Sequence, residues 1–239
     1  VKTRSVAGAL LAVVIATICA SLGIWQLERL AARRALNQAV LARLNHPAVE
    51  LDSSTAGLEK RRFQRVILRG RLDYDNEIVL SNRSRNGSPG VHIITPVRLP
   101  GRDTAVLVNR GWVYAPDAMT VDLARWREPA EISGKGYVEL FPNRRSGANQ
   151  SPTHPNAYRW LDADALRGRI PYPIAPYYVV LTTKGPPDKV PARVGIPDLD
   201  EGPHLSYAIQ WFSFAAISII GMIVLLRRMN GGDSASASQ

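Results

Sequence analysis

Apolar residues are gathered at the two ends of the chain, and between them apolar and polar positions alternate over short stretches. Positions 5–27 carry no charge, and the run from Val6 to Ile15 is apolar throughout. A helix rises ~1.5 Å per residue, so about 20 such residues cross the hydrocarbon core of a bilayer. A cleaved leader also starts with positive charge, but it wants a shorter apolar region and a small-x-small cleavage site. Here Ile18 interrupts the only such register before Ala20, and Cys19 lacks a Leu-Ala-Gly preamble. The stretch therefore reads as an uncleaved anchor. A second uncharged run covers 204–226 and is closed by Arg227 and Arg228.

Beyond the first span, Leu27, Leu30, Leu36, Val40, Leu41 and Leu44 recur at roughly helical spacing. The pattern predicts that the helix continues as an amphipathic one until Asn45-His46-Pro47 stops it. The expected organisation is a short N-terminus (1–4), a span (5–27), a middle domain (28–203), a second span (204–226) and a low-complexity, disordered tail (227–239).

The middle domain reads mostly as strand. Phe63 to Leu72 and Glu77 to Leu80 resemble a hairpin around the polar turn 73–76. Further strands are expected at 91–97, 105–113, 131–140 and 177–183, with a short helix at 163–169. Several short strands with turn punctuation predict a mainly antiparallel sheet or small barrel, an α+β domain, and not a doubly wound nucleotide fold.

Charge sets the expected orientation. The 239 residues hold 30 Lys plus Arg against 20 Asp plus Glu, a net +10. Lys2 and Arg4 precede the first span, and Arg227 and Arg228 follow the second. Two spans put both termini on one side, and basic residues mark the cytoplasmic side. The middle domain is then on the outer face, although Arg29, Arg33 and Arg34 follow the first span. Arginines spread through that domain, among them Arg61, Arg65, Arg71, Arg144 and Arg145, read as a solvated basic face, with attraction to anionic lipid or a partner as the alternative. Nucleic acid is not an expected partner, since no aromatic-rich binding module is visible.

Little points to catalysis. One cysteine excludes an internal disulfide, and no Cys/His cluster suits zinc or iron–sulfur. Dinucleotide, P-loop, zincin and nucleophile-elbow motifs are missing, and Asp73 and Asp75 flank a turn. His46, His92 and His154 read as loop or strand residues. His204 differs, because it stands where the chain enters the second span. On a helix His204, Tyr207 and Trp211 share one stripe at i, i+3 and i+7, at the depth of Trp25. Two readings of the stripe stay open. It is either an interfacial aromatic belt or a site where imidazole meets the iron of an apolar porphyrin held between helices.

Three blocks carry a resemblance. Gly23-Ile-Trp-Gln-Leu-Glu-Arg, Val108-Asn-Arg-Gly-Trp-Val and His204-Leu-Ser-Tyr-Ala-Ile-Gln-Trp-Phe occur in order between two terminal spans. They are similar to signature blocks of the Surfeit-locus (Shy) family of cytochrome c oxidase assembly factors. The resemblance implies a non-enzymatic role in maturing the catalytic subunit of the oxidase in a bacterial plasma membrane, with haem a as cargo. Haem a synthase is a further candidate partner on the same ground, and membrane lipid is expected from the two spans. By position His204 is the implied iron ligand, with Tyr207 and Trp211 as neighbours in its block; Trp25, at the same depth, and Arg29 are expected beside the cofactor if haem is the cargo. Gly23, Gln26, Asn109, Arg110 and Gly111 belong to the blocks as partner-facing or structural residues. Arg29 or Arg110 would meet the haem propionates. Gly202-Pro203 before His204 departs from the polar residues many members carry there.

Two other functions compete. A scaffold without cofactor would clamp the immature oxidase subunit, and Gly8 and Ala12 offer a small-xxx-small face for helix packing. A two-span sensor is disfavoured by the short segment after Arg228.

Overall fold

The computed structural model describes residues 2–51, 61–142, 148–185, 189–197 and 199–235. Arg144 and Arg145, the prolines at 186 and 187 and the last four residues lie outside them. The chain divides into two units, one of residues 1–39 with 198–239 and one of residues 40–197.

Two long helices dominate the first unit. Helix α1 runs Lys2–Asn45 without a break, which joins the apolar span to the amphipathic continuation as the periodicity predicts. Its second half buries Leu30, Asn37, Val40 and Leu44, while Leu27, Leu36 and Leu41 are exposed. The last helix of the chain, named α3 below, covers His204–Ala235. It continues nine residues past Leu226, so the expected tail is helical up to Ala235 and only 236–239 are undescribed. Both helices contain candidate membrane spans, with window mean hydropathies of 2.4 and 2.2 and only 17% and 6% of those windows buried in the protein. A core helix of a soluble fold would bury far more of such a face.

The second unit is a mixed sheet of eight strands: β1 (Val49–Glu50), β2 (Arg65–Leu72), β3 (Ile78–Arg85), β4 (Ser88–Arg98), β5 (Ala105–Tyr114), β6 (Glu131–Leu140), β7 (Ala157–Tyr158) and β8 (Ile174–Leu181). The order is β1-β2-β6-β8-β5-β4-β3-β7, and a further pairing of β2 with β4 closes a five-stranded ring of β2, β6, β8, β5 and β4. The ring is antiparallel except at β5 and β8. Alternation explains the wall: β2 turns Val66, Leu68, Gly70 and Leu72 inward and its arginines outward. Inside, Val97, Val106, Val108, Val138, Tyr177 and Val179 complete the core.

A second apolar layer covers the outside of β3–β5, where Ile78, Leu80, Ile94 and Leu107 pack with Tyr158, Leu161 and Leu166. Leu166 comes from α2 (Ala163–Arg167), capped by the Asp162 carboxylate. With both faces covered, β5 is buried almost end to end, which is why it is the most apolar strand in the sequence.

One expectation fails. β2 and β3 do not form a hairpin, because β2 pairs with β6 and β4 while β3 pairs with β4 and β7. The polar stretch between them is a 3-10 turn at Tyr74–Asn76, capped by Asp73. It carries the chain across the end of the ring instead of reversing it. The tight hairpin is β3–β4, turned at Asn86-Gly87 with positive φ at both residues.

Candidate functional site

The site of the first unit begins where the chain enters α3. Residues 199–202 lie along α1 before that entry. Asn37 Nδ2 donates to the Leu199 carbonyl (2.6 Å) and Arg33 Nε to that of Asp200 (3.0 Å). Arg34 grips Glu201 with two parallel bonds of 2.9 and 2.8 Å, and this pairing holds the Glu201 carboxyl below its usual range. Gly202 then turns the chain with φ +72°, a left-handed conformation that suits glycine. Pro203 opens the helix, its carbonyl accepting from Tyr207 N (3.1 Å) and Ser206 Oγ (2.8 Å).

This turn brings His204 against α1. Its Nδ1 lies 2.9 Å from Gln26 Oε1. An amide oxygen only accepts, so Nδ1 is the donor of this pair; in the neutral ring that leaves the lone pair on Nε2. A methyl group at Gly202 would sit 3.5 Å from Nε2; with glycine there, that nitrogen is left uncovered on that side. His204 and Gly202 share a cavity of about 450 Å³ with Arg29, Ala32, Arg33, Leu36, Asp200 and Glu201. Three residues below Gln26 the helices touch at Gly23, where a Cβ would come within 2.7 Å of the Phe212 ring.

The other residues of the stripe divide. Arg29 lines the His204 cavity, and its guanidinium lies 5.9 Å from the centre of the Trp25 ring. Trp25 is level with His204 through its neighbour Gln26, but its ring is exposed, as is Tyr207. Trp211 is half-buried and meets Phe214 edge-on at 6.0 Å. The side chain of α1 that faces His204 is thus Gln26 and not Trp25.

The block on β5 forms a separate constellation inside the ring. Residues Ile93 and Ile94 of β4 are registered with Gly111 and Asn109, so Arg110 is an extra residue, a bulge in β5. Bulges re-aim side chains, and this one sends a fully buried arginine inward. Arg110 Nη2 pairs with Glu77 Oε1 (2.9 Å), Nε with Thr95 Oγ1 (2.9 Å), and Nη1 with the Trp126 carbonyl (2.7 Å) and Glu128 (3.3 Å). Burial pushes the Glu77 carboxyl upward against the pull of Arg110. Arg110 therefore has no free face for a propionate, a role expected for it above; its charge is spent inside the barrel.

The same block clamps the segment 189–197. Arg193 pairs with Glu128 (2.5 Å) and donates to the Arg110 carbonyl, and Trp112 and Ala192 exchange two backbone bonds of 2.8 and 2.9 Å. Gly111, at φ +138°, has no room for a Cβ, which would lie 2.5 Å from the Ala192 oxygen. Asn109 Oδ1 accepts from Gly111 N (3.0 Å), and its Nδ2 faces His92 Nδ1 (3.1 Å). Sequence reading did not find Glu77, Glu128 or Arg193. The available signal was an Arg-Gly pair inside an apolar strand, which marks a bulge and demands buried acid partners.

Sequence comparison agrees with the blocks. The model of the SURF1 family matches residues 13–216, from α1 through the first turns of α3. The chain belongs to the SURF1 family. A SURF1-like protein of Monosiga brevicollis is 29% identical over 95% of this chain and 89% of its own length. One from Rickettsia felis is 26% identical over 89% of this chain and 93% of its own. The cytochrome oxidase assembly protein SHY1 of Saccharomyces cerevisiae is 28% identical over 60% of this chain and 38% of its own. The SURF1 match spans all three blocks, so the His204–Gln26 pair and the Arg110 cluster both fall inside the family region.

Proposed function

We propose that this SURF1-family chain is an assembly factor of haem–copper cytochrome c oxidase that receives haem a at the outer end of its two spans and presents it to the catalytic subunit. The family membership and the similarity to the cytochrome oxidase assembly protein SHY1 support the assembly part. The observation that carries the haem part is the His204–Gln26 bond, which fixes the tautomer a haem ligand needs, with Nε2 basic and uncovered beside Gly202. One histidine would suffice to hold the iron, because the porphyrin itself would supply the remaining nitrogen ligands. Arg29 in the same cavity meets a propionate, and the exposed Trp25 and Tyr207 give the macrocycle an apolar approach from lipid.

In this reading the protein binds and orients its cargo without chemical catalysis. Basic residues outside each span support cytoplasmic termini in the bacterial plasma membrane, with the β unit on the outer face. The oxidase catalytic subunit, lipid and haem a synthase are its partners. The test is an optical spectrum of protein purified from cells shown to contain haem a, wild type beside His204→Ala. A haem band lost in the variant supports the assignment. A band that survives moves the ligand elsewhere, and no band in either favours the scaffold function.

A further inference from the structure

The β unit carries another cavity, of about 450 Å³, at the seam where β2 meets β4. Arg71 and Arg98 are registered partners across that seam. Both side chains therefore leave the sheet on one face, where like charges directly opposite each other oppose pairing. Arg127, from the β5–β6 connection, lines the same cavity. Among the described residues none of these three guanidinium groups forms an ion pair.

Aromatic rings set two of them in place. Arg98 stands 4.3 Å from the centre of the Tyr172 ring and Arg127 5.2 Å from that of Tyr74. Both rings are fixed in turn: the Tyr172 hydroxyl donates to Asp73, and that of Tyr74 to the Glu128 carbonyl at 2.6 Å. Two acids share the lining, but the Asp73 carboxylate is occupied by Tyr172, Asn76 Nδ2 and the Asp75 amide. Asp73 and Asp75 answer two of the three positive charges, so the lining keeps one net positive charge and three guanidinium groups whose donors no carboxylate among the described residues takes up.

We propose that this cavity binds a phosphate-type oxyanion. A planar carboxylate is saturated by one arginine fork, whereas a tetrahedral phosphate offers oxygens to guanidinium groups arriving from two strands and a loop. A bound anion would also offset the repulsion that the Arg71–Arg98 register creates. A soluble phosphoryl compound and a phospholipid headgroup share this chemistry.

The test is calorimetric titration of the full chain, in a neutral detergent, with inorganic pyrophosphate. Saturable binding that weakens at least tenfold in Arg71→Gln/Arg98→Gln, and that falls with added salt, is expected. Relief of repulsion predicts that this variant melts no lower than wild type; if it does melt lower, Arg127→Gln, on an exposed loop, repeats the measurement. Competition by phosphatidylglycerol in mixed micelles identifies a headgroup site, and binding untouched by that lipid identifies a soluble phosphoryl ligand. Equal binding by wild type and both variants, or no arginine-dependent binding of either probe, overturns the proposal.

Discussion

The imidazole Nδ1 of His204 and the amide oxygen of Gln26, one from each terminal helix, are 2.9 Å apart. The bond joins the first and third sequence blocks and selects the tautomer of the ring. A partner that orients a ligating histidine is typically worth about 10–100-fold in affinity. On the proposed haem assignment, Gln26→Ala is expected to weaken haem binding by about that factor while leaving His204 in place. Gln26→Glu keeps an acceptor and is expected to retain binding. Titration of the purified variants with haem, followed optically, separates these outcomes. Equal affinity of Gln26→Ala and wild type would show that something other than Gln26 orients the ring.

Gly111→Ala is expected to loosen the clamp on residues 189–197. The substitution forces a side chain into a φ of +138° and places its Cβ 2.5 Å from the Ala192 oxygen. Backbone strain alone costs about 1–3 kcal/mol, and the Trp112–Ala192 bond pair is lost with it. A lower melting temperature and faster amide exchange at Ala192 and Arg193 are the expected readings. Unchanged exchange there would mean that the clamp depends on Arg193 and Glu128 instead.

Much of this was legible in the sequence, for identifiable reasons. Both long helices follow from uncharged runs and a 3.6-residue period, and six of the eight strands can be read wherever one side meets the core, as in β2. The ring closure was not legible, because Arg71↔Arg98 and Leu72↔Val97 are pairings of distant segments that no local pattern encodes. The false hairpin at 73–76 has the same origin: its polar residues mark a turn but not which strand follows alongside. At the site, block membership pointed to Gln26 without giving its role, since a contact 178 residues away in sequence depends on how two helices rotate. Arg110 was visible as an anomaly in an apolar strand, and its acids Glu77 and Glu128 looked like ordinary surface carboxylates.

His92 makes the β unit acid-sensitive. Burial, and then the Arg83 charge, lower its pKa to about 4. Asn109 turns its amide nitrogen toward His92 Nδ1 while its oxygen accepts from Gly111 N, so a proton on Nδ1 would face a donor. The unfolded chain binds a proton at His92 below its ordinary value of about 6.5, and the folded chain does not until about pH 4. Stability is thus lost as pH falls from 6.5 to 4 and levels off below, by about 3 kcal/mol. His92→Gln is expected to flatten that slope in denaturation midpoints measured across the range. The same slope in the variant would assign the acid sensitivity to other groups.

Gly23 and Phe212 fix how closely the two long helices approach within their unit. A Cβ at Gly23 would lie 2.7 Å from Phe212 Cε1 and 2.8 Å from Cζ, too close for any ordinary contact. These atoms are the far end of a ring that can swing, and Phe212 is 37% exposed, so Gly23→Ala is expected to cost little. Gly23→Leu leaves the ring nowhere to go and should push α3 away from α1, taking His204 off Gln26. Phe212→Ala in the Gly23→Leu background is then expected to restore part of the loss. The double-mutant cycle, read from melting temperatures in detergent, should give a coupling of about 0.5–3 kcal/mol, the range for residues in contact. If the two substitutions simply add, the glycine of the first block is required by something other than the phenylalanine of the third. A positive coupling accompanied by recovered haem binding would tie the packing at Gly23 directly to the placement of His204, three residues further along α1 at Gln26.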